Sequence, residues 1–413
     1  MTPRSGLLPH PRNEKLRAVS LLVLAQFAVM SLWFTATASV PQLTTQYRLG
    51  PVHAAAMTSA VQIGFVIGTL ASAVLSLADR WDSRRFFAVS AMVGAAANLA
   101  MTQVDPAGLG FLLLRMLVGI SMAGVYPVGM KMVASWSSGR DLGLLMSLVV
   151  GALTVGAAFP SLSRSVGGED WRLVMFVATA MAFVGALLGG SVKPGGELPV
   201  RPRFSFKDVS ITWKHPELRL VGIGYLGHMW ELYAMWAWIG LFLHMSFAAR
   251  GLSPASADIL AAATIASGAL GCIGAGFLAD RVGRPAIAIN AMTISGLCAA
   301  AIGFAFDGPL WLVVIISLVW GVTVIADSAQ FSAVTAELSD PPFMGTILTA
   351  QICCGFMLTV VSLQIIPVLA DMLTWKYAFM ILAPGPFCGI MAMSLLRRRR
   401  AGTGGSLESD DSR

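Results

Sequence analysis

Arg115, His228, Glu231 and Asp327 stand inside long apolar stretches of this chain, and each residue type carries a definite chemistry. A guanidinium at Arg115 can hold an anionic group through paired hydrogen bonds. His228 and Glu231 are three residues apart, so on a helix they share a face, to which Trp238 returns seven residues later. A carboxylate and an imidazole within one apolar segment form the equipment of a proton relay. The competing reading is structural: Glu231 pairs with His228 or Arg115 to hold helices together, and Arg115 binds backbone carbonyls or a neighbouring helix. Asp327 is either an alternate proton site or a counter-ion to Arg115, with Gln330 on its helical face.

Several uncharged residues are candidate cavity contacts beside these: Gln62, Trp33, Phe34, Tyr126, Trp238, Gln330 and Gln351. Each taken singly is equally explained by packing or by a helix–helix hydrogen bond. The five cysteines fall in apolar segments and lack metal-ligand spacing with histidine, so they read as buried small hydrophobes and no metal site is expected. Neither a phosphate-binding loop nor a Ser-His-Asp, HExxH or clustered-cysteine pattern is present, which argues against an enzyme and against an ATP-driven pump.

The elements that must position these residues follow from composition. Hydrophobic residues make up 56% of the chain, charged residues 12%, and mean hydropathy is +0.75. A soluble domain carries about 25% charged residues, so this chain cannot cover a water-facing surface. Runs of roughly 20 apolar residues are expected near 17–41, 53–77, 84–103, 107–133, 138–164, 171–191, 217–247, 254–279, 285–305, 308–336, 343–370 and 374–396. The first is too long for a signal-peptide core and reads as a retained helix. The expected fold is therefore an all-α integral membrane protein with twelve transmembrane helices in two pseudo-symmetric six-helix bundles. An N-terminal segment (1–16) leads into the first bundle (17–191). A basic linker (192–216) joins it to the second bundle (217–396), followed by a polar tail (397–413).

The net charge of +7 does not indicate nucleic acid, because the positive residues sit in short gaps between apolar runs. Arg4, Arg12, Lys15, Arg17, Arg140, Arg201, Arg203 and Arg397 to Arg400 fall on one side. Arg48, Arg164, Arg172, Arg250 and Lys376 make a sparser set on the other. That bias places both termini in the cytoplasm. Lys131, near one end of its span, is expected to snorkel to the headgroups.

The gap Gly276-Phe277-Leu278-Ala279-Asp280-Arg281-Val282-Gly283-Arg284-Pro285 has an echo about 200 residues earlier, Leu77-Ala78-Asp79-Arg80-Trp81-Asp82. A basic loop repeated at matching places in two halves is the mark of an internally duplicated carrier. The second copy resembles the loop signature between the second and third helices of major facilitator superfamily transporters. The first copy has Leu75 and Asp82 where that signature has glycines. Arg115 followed by Gly119 resembles the arginine motif of that family's fourth helix.

The resemblance implies a secondary active transporter working by proton-coupled alternating access, as in symport, with no cofactor. Asp79, Arg80, Gly276, Asp280, Arg281, Gly283 and Arg284 would form the cytoplasmic latch. Arg115 would hold an anionic or zwitterionic organic metabolite, with Glu231, His228 and Asp327 handling the coupling proton. Expected partners are a small solute, protons and the lipid bilayer, with no nucleic acid, for a monomer in a bacterial inner membrane. Alternatives are a non-transporting receptor or assembly protein on the same scaffold, or an efflux antiporter for drugs or metabolites. The Gly-Pro pair of the family's drug exporters is missing from the fifth span. The arginines of its nitrate branch are missing from the second and eighth.

Overall fold

The computed structural model describes residues 11–137, 141–167, 170–196 and 204–408, and of these all side chains but 167, 280 and 401–408. Arg4, Arg140, Arg201 and Arg203 lie outside the described residues, as does the side chain of Asp280. The described chain is helical throughout and contains no strand. Hydrocarbon offers the backbone no hydrogen-bond partner, so a spanning segment must satisfy its own amides, which a helix does.

Eleven helices are long and apolar enough to cross a membrane: α1 (Arg12–Tyr47), α2 (Pro51–Leu75), α3 (Ser83–Gln103), α4 (Leu109–Ala134), α5 (Leu142–Val166), α6 (Trp171–Ser191), α8 (Pro254–Ala279), α9 (Arg284–Ala305), α10 (Leu310–Leu338), α11 (Met344–Leu373) and α12 (Trp375–Arg400). Between α6 and α8 lies α7 (Pro216–Ala248), whose 33 residues carry the polar and aromatic cluster His228–Trp238. At 1.5 Å per residue α7 is about 50 Å long, more than enough for a hydrocarbon core of about 30 Å. The fold is thus the twelve-helix membrane architecture, in two six-helix halves.

The halves are built alike. A Cβ on Gly64 would lie 2.0 Å from the Met116 carbonyl oxygen, and one on Gly119 would lie 2.1 Å from that of Val61. In the second half a Cβ on Gly271 would meet the Val322 oxygen at 1.8 Å, and one on Gly321 the Thr264 oxygen at 1.8 Å. So α2 crosses α4, and α8 crosses α10, backbone against backbone, as small residues permit in a membrane. The halves join where α5 packs on α8 and α2 on α11. Small residues line the α5–α8 seam: Gly151 faces Ala269, and Gly276 approaches Ser147 so closely that a Cβ there would sit 2.5 Å from Oγ.

With twelve helices crossing in alternation, the start of α1, the end of α12, the two repeated loops and the described linker residues 192–196 and 204–216 fall on one side, the linker side; the opposite is the far side. The linker is moored at both ends. Trp136 Nε1 donates to the Lys193 carbonyl (3.1 Å), the Gly195 amide to Ser135 Oγ (2.9 Å), and the Ser205 amide to Thr346 Oγ1 (3.2 Å).

The repeated loops differ in build. The helix of α8 continues unbroken through Val282 and stops at Gly283, whose φ of +90° suits glycine. In the first copy the break comes earlier, at Ser76 with φ +52°, and Leu77–Arg80 forms a separate turn. Asp82 then caps α3, accepting from the amides of Arg84 (2.9 Å) and Arg85 (3.3 Å) and from Arg84 Nη2 (2.8 Å). The Arg84 side-chain hydrogen bond, more than the two amides, holds the Asp82 carboxyl down at about 2. A depressed carboxyl stabilises above its ordinary range, and the gain disappears as pH falls through about 2. Asp82→Ala should lower stability by about 1 kcal/mol at neutral pH, read as a small drop in melting temperature. An unchanged melting temperature would show that the cap contributes nothing.

Candidate functional site

α1 does not run straight. At Ser31–Phe34 it tightens into a 3-10 turn, and Phe34 reaches φ −111°. Such a break releases carbonyls that must find other donors. Arg115 supplies them: Nε donates to the Met57 carbonyl (3.0 Å), Nη1 to Leu32 (3.2 Å) and Thr35 Oγ1 (3.5 Å), and Nη2 to Trp33 (2.7 Å). The residue is fully buried. Expected at the cavity as an anion holder, its guanidinium has every nitrogen turned to α1 and α2, the structural alternative set out for it above. Thr35 passes the network on to Asn98 Oδ1 (2.8 Å), whose amide nitrogen donates to Met175 and Thr179 (3.0 Å each).

The turn that Arg115 grips presents Trp33 and Phe34 to the other half of the molecule. Trp33 lies 5.1 Å from Phe65 and 5.7 Å from Phe356 between ring centroids, and Phe65 lies 4.6 Å from Phe356. Tyr233 is 4.9 Å from Phe356 and 5.9 Å from Trp33, while Phe34 is 5.9 Å from Trp236. These six rings come from α1, α2, α7 and α11 and meet across the joint between halves. Beside them a narrow gap is lined by Met30, Trp33, Phe34, Leu153, Tyr233 and Trp236, among others. Trp33 Nε1, Trp236 Nε1 and both amide atoms of Gln62 are buried without a hydrogen-bond partner. Gln62 stands three residues before Phe65 on α2, hence on a neighbouring face.

The remaining expected contacts scatter. Trp238 is fully buried and donates from Nε1 to the Leu363 carbonyl (3.1 Å), fastening α7 to α11. Gln351 accepts from Thr335 Oγ1 (2.7 Å) and keeps its Nε2 unpartnered, while Gln330 Oε1 lies 3.5 Å from Arg284 Nη1. Tyr126 opens the second segment of α4 and is partly exposed.

The acid and imidazole groups pair differently from the expected relay. Glu231 accepts from Trp320 Nε1 (2.6 Å) and Ser295 Oγ (2.9 Å), linking α7 to α10 and α9. It makes no ion pair among the described residues. His228 turns instead to α10, with Nδ1 2.8 Å from Asp327 Oδ1. His228 Nε2 has no hydrogen-bond partner among the described residues, and both residues are 1% exposed. The shared helical face put His228 near Glu231 in sequence, but cross-helix neighbours took each side chain separately.

A further cluster was not anticipated. On the far side Arg164 of α5 donates from Nη1 to the Ala38 carbonyl (2.7 Å) and holds Nε 3.4 Å from Asp258 Oδ2 of α8. His244 Nε2 of α7 sits 2.7 Å from Asp258 Oδ1 and 3.1 Å from Arg164 Nη2. Arg164 is 6% and Asp258 5% exposed, so this is a buried charge cluster joining the halves, not a set of surface topology charges. Gln364 Nε2 adds a second stitch, donating to Ser59 Oγ (3.0 Å) across α11 and α2. Little in the sequence signals it, because Asp258 lies one turn past the Pro254 start of its helix and His244 one turn before the Ala248 end of its own.

On the linker side the loop charges stay within their own halves. Lys131 does not snorkel; its Nζ donates to the Ala78 carbonyl and to Asp79 Oδ1 (2.6 Å each) and so ties α4 to the first loop. Arg284 pairs with Glu337 (2.7 Å), with Arg400 3.6 Å from the same carboxylate. Arg80 and Arg281 are exposed. Gly276 sets the close approach to Ser147 across the seam.

Comparison with known proteins agrees with this architecture. The inner membrane transport protein YnfM of Escherichia coli (strain K12) is 23% identical over 212 residues, and the match spans half of each chain. Two crystal structures of the nucleoside transporter NupG superpose on the fold. A mutant form has TM-score 0.71 at 16% identity, covering 93% of this chain and all of that one. The other has TM-score 0.69 at 18% identity, covering 93% and 99%. The family model described as Major Facilitator Superfamily matches residues 22–347. With twelve helices in two like halves and a polar, aromatic joint between them, the chain belongs to the Major Facilitator Superfamily.

Proposed function

We propose that this protein is a secondary active carrier that moves a small organic solute by alternating access, driven by protons. The observation that carries the reading is the joint itself. Buried polar groups without partners gather there beside rings contributed by both halves, at the depth where rocking carriers hold their solute. Glu231 and the His228–Asp327 pair are costly to keep in a membrane without a task. Glu231, bonded only to neutral donors, is the group we assign to carrying the proton, with His228–Asp327 as its neighbour on the same helix pair. The basic bias toward the linker side supports a cytoplasmic linker and termini, in a bacterial inner membrane like that of the YnfM relative.

Arg115 supported an anionic or zwitterionic substrate only as a free guanidinium. Held by three backbone carbonyls, it is better read as the residue that positions Trp33 and Phe34.

Reconstitution in liposomes with an imposed pH gradient and a metabolite panel tests the carrier reading. Solute-dependent proton flux is the expected result. Glu231→Gln should abolish accumulation driven by the gradient while leaving solute exchange at equal pH. Unchanged accumulation in that variant would remove Glu231 from proton coupling.

A further inference from the structure

The groups left unpartnered at the aromatic joint define a class of solute, an inference that rests on the carrier reading above. We propose that the joint of Trp33, Phe34, Phe65, Tyr233, Trp236 and Phe356 binds an uncharged, flat ring carrying hydrogen-bond acceptors.

Trp33 and Trp236 are each 2% exposed and donate to nothing through their indole nitrogens. A buried N–H without an acceptor is costly, and native structures rarely leave one so unless a ligand or water supplies the partner. Here two occur on rings lining one cavity, with one from each half. Gln62, fully buried, has both its amide nitrogen and its amide oxygen unpartnered three residues from Phe65. The unpartnered polar groups that line the cavity are therefore two donors that accept nothing, with the Gln62 amide, which both donates and accepts, on a neighbouring face of α2.

The narrow gap beside the rings is lined by Met30, Trp33, Phe34, Leu153, Ala157, Tyr233 and Trp236, none of them ionised at neutral pH. The guanidinium groups beside these rings are committed elsewhere: Arg115 to the carbonyls of Met57, Leu32 and Trp33, and Arg164, which shares a cavity with Phe34 and Trp236, to Asp258. A carboxylate or ammonium brought among these rings would lose its hydration with no counter-charge to replace it. An uncharged ring loses little and gains offset or edge contacts with the six aromatic groups. Planarity follows from the way the rings already pack, stacked for Phe34 and Tyr233 and tilted or edge-on for the others, at centroid separations from 4.6 to 6.3 Å. A flat solute can enter such a stack by parting two rings, whereas a puckered one would force several apart.

Purified protein in lipid nanodiscs, assayed by thermal shift and tryptophan quenching, provides the test. The panel pairs neutral rings with their anionic counterparts: nicotinamide with nicotinate, benzamide with benzoate, thymine with orotate. Cyclohexanecarboxamide serves as the puckered control. Stabilisation is expected from at least one neutral ring and from neither its anionic partner nor the puckered amide. Trp33→Phe and Trp236→Phe keep the rings and remove the N–H groups; each should weaken that binding about tenfold. Binding by the anions in preference to the neutral rings, or by none of the neutral rings, would overturn the proposal. So would undiminished affinity in both phenylalanine variants. Liposome flux separates this from the carrier reading: flux of an anionic solute sinks the ring proposal alone, and tight ring binding without any flux or exchange sinks the carrier.

Discussion

Arg115→Met should be among the most damaging single substitutions in this protein. The change leaves the carbonyls of Met57, Leu32 and Trp33 buried without a donor. At roughly 1–3 kcal/mol for each abandoned group, the loss amounts to several kcal/mol. Arg115→Lys should do little better, because one ammonium cannot reach three carbonyls set around a planar fork. We expect a large fall in melting temperature and loss of solute exchange in both variants. A positioning residue and an anion anchor separate cleanly on one readout. If Arg115→Met kept its melting temperature but bound an anionic solute more weakly, the anchor role would be restored. If stability and the packing of Trp33 collapse together, seen as a change in tryptophan emission, the positioning role holds.

The second large effect is expected at the far side. Asp258→Ala removes the carboxylate facing Arg164, which is buried in the closed cluster. Breaking a buried pair from one side costs about 3–5 kcal/mol, and the cost falls on the closed arrangement, since opening lets water reach the guanidinium. At about 1.4 kcal/mol per factor of ten, the balance between closed and open far sides should move by at least about a hundredfold. Gly240 lines the cavity of about 350 Å³ beside this cluster. Gly240→Cys should label slowly with a membrane-impermeant maleimide in the parent protein, and at least tenfold faster when combined with Asp258→Ala. Adding Arg164→Ala should bring the rate part of the way back, because no buried cation then remains to be solvated. Equal labelling rates in all three proteins would show that the cluster does not hold this side shut.

Much of the architecture was legible in the chain because hydrocarbon leaves few choices. Long apolar runs can only be helices, so the expected span at 217–247 appears as Pro216–Ala248 and that at 53–77 as Pro51–Leu75. The repeated loops were legible because a sharp turn needs special residues, and Gly283 with its positive φ is one. Partnerships across helices were not. Spacing along one helix tells which side chains share a face, so His228 and Glu231 read as a pair, yet Asp327, Trp320 and Ser295 arrive from helices 64 to 99 residues away. Arg115 could be read either way, as an anion holder or as a donor to backbone carbonyls, because carbonyl acceptors leave no mark in side-chain chemistry. Arg164, His244 and Asp258 were hidden differently. Charges near helix ends resemble topology signals until the two halves are placed together and bury them.

The smallness of the cavities at the joint has a thermodynamic consequence. The narrow gap beside the rings and the space of about 350 Å³ beneath the far-side cluster are divided by Phe34 and Trp236, which line both. Admitting a solute from either face means parting the halves and filling new volume with solvent, so each turn of the cycle is also a hydration step. Polymers too large to enter draw that solvent out again and favour the compact arrangement, in the way excluded osmolytes favour burial. The carrier's rate should therefore respond to osmotic stress even where no solute gradient exists.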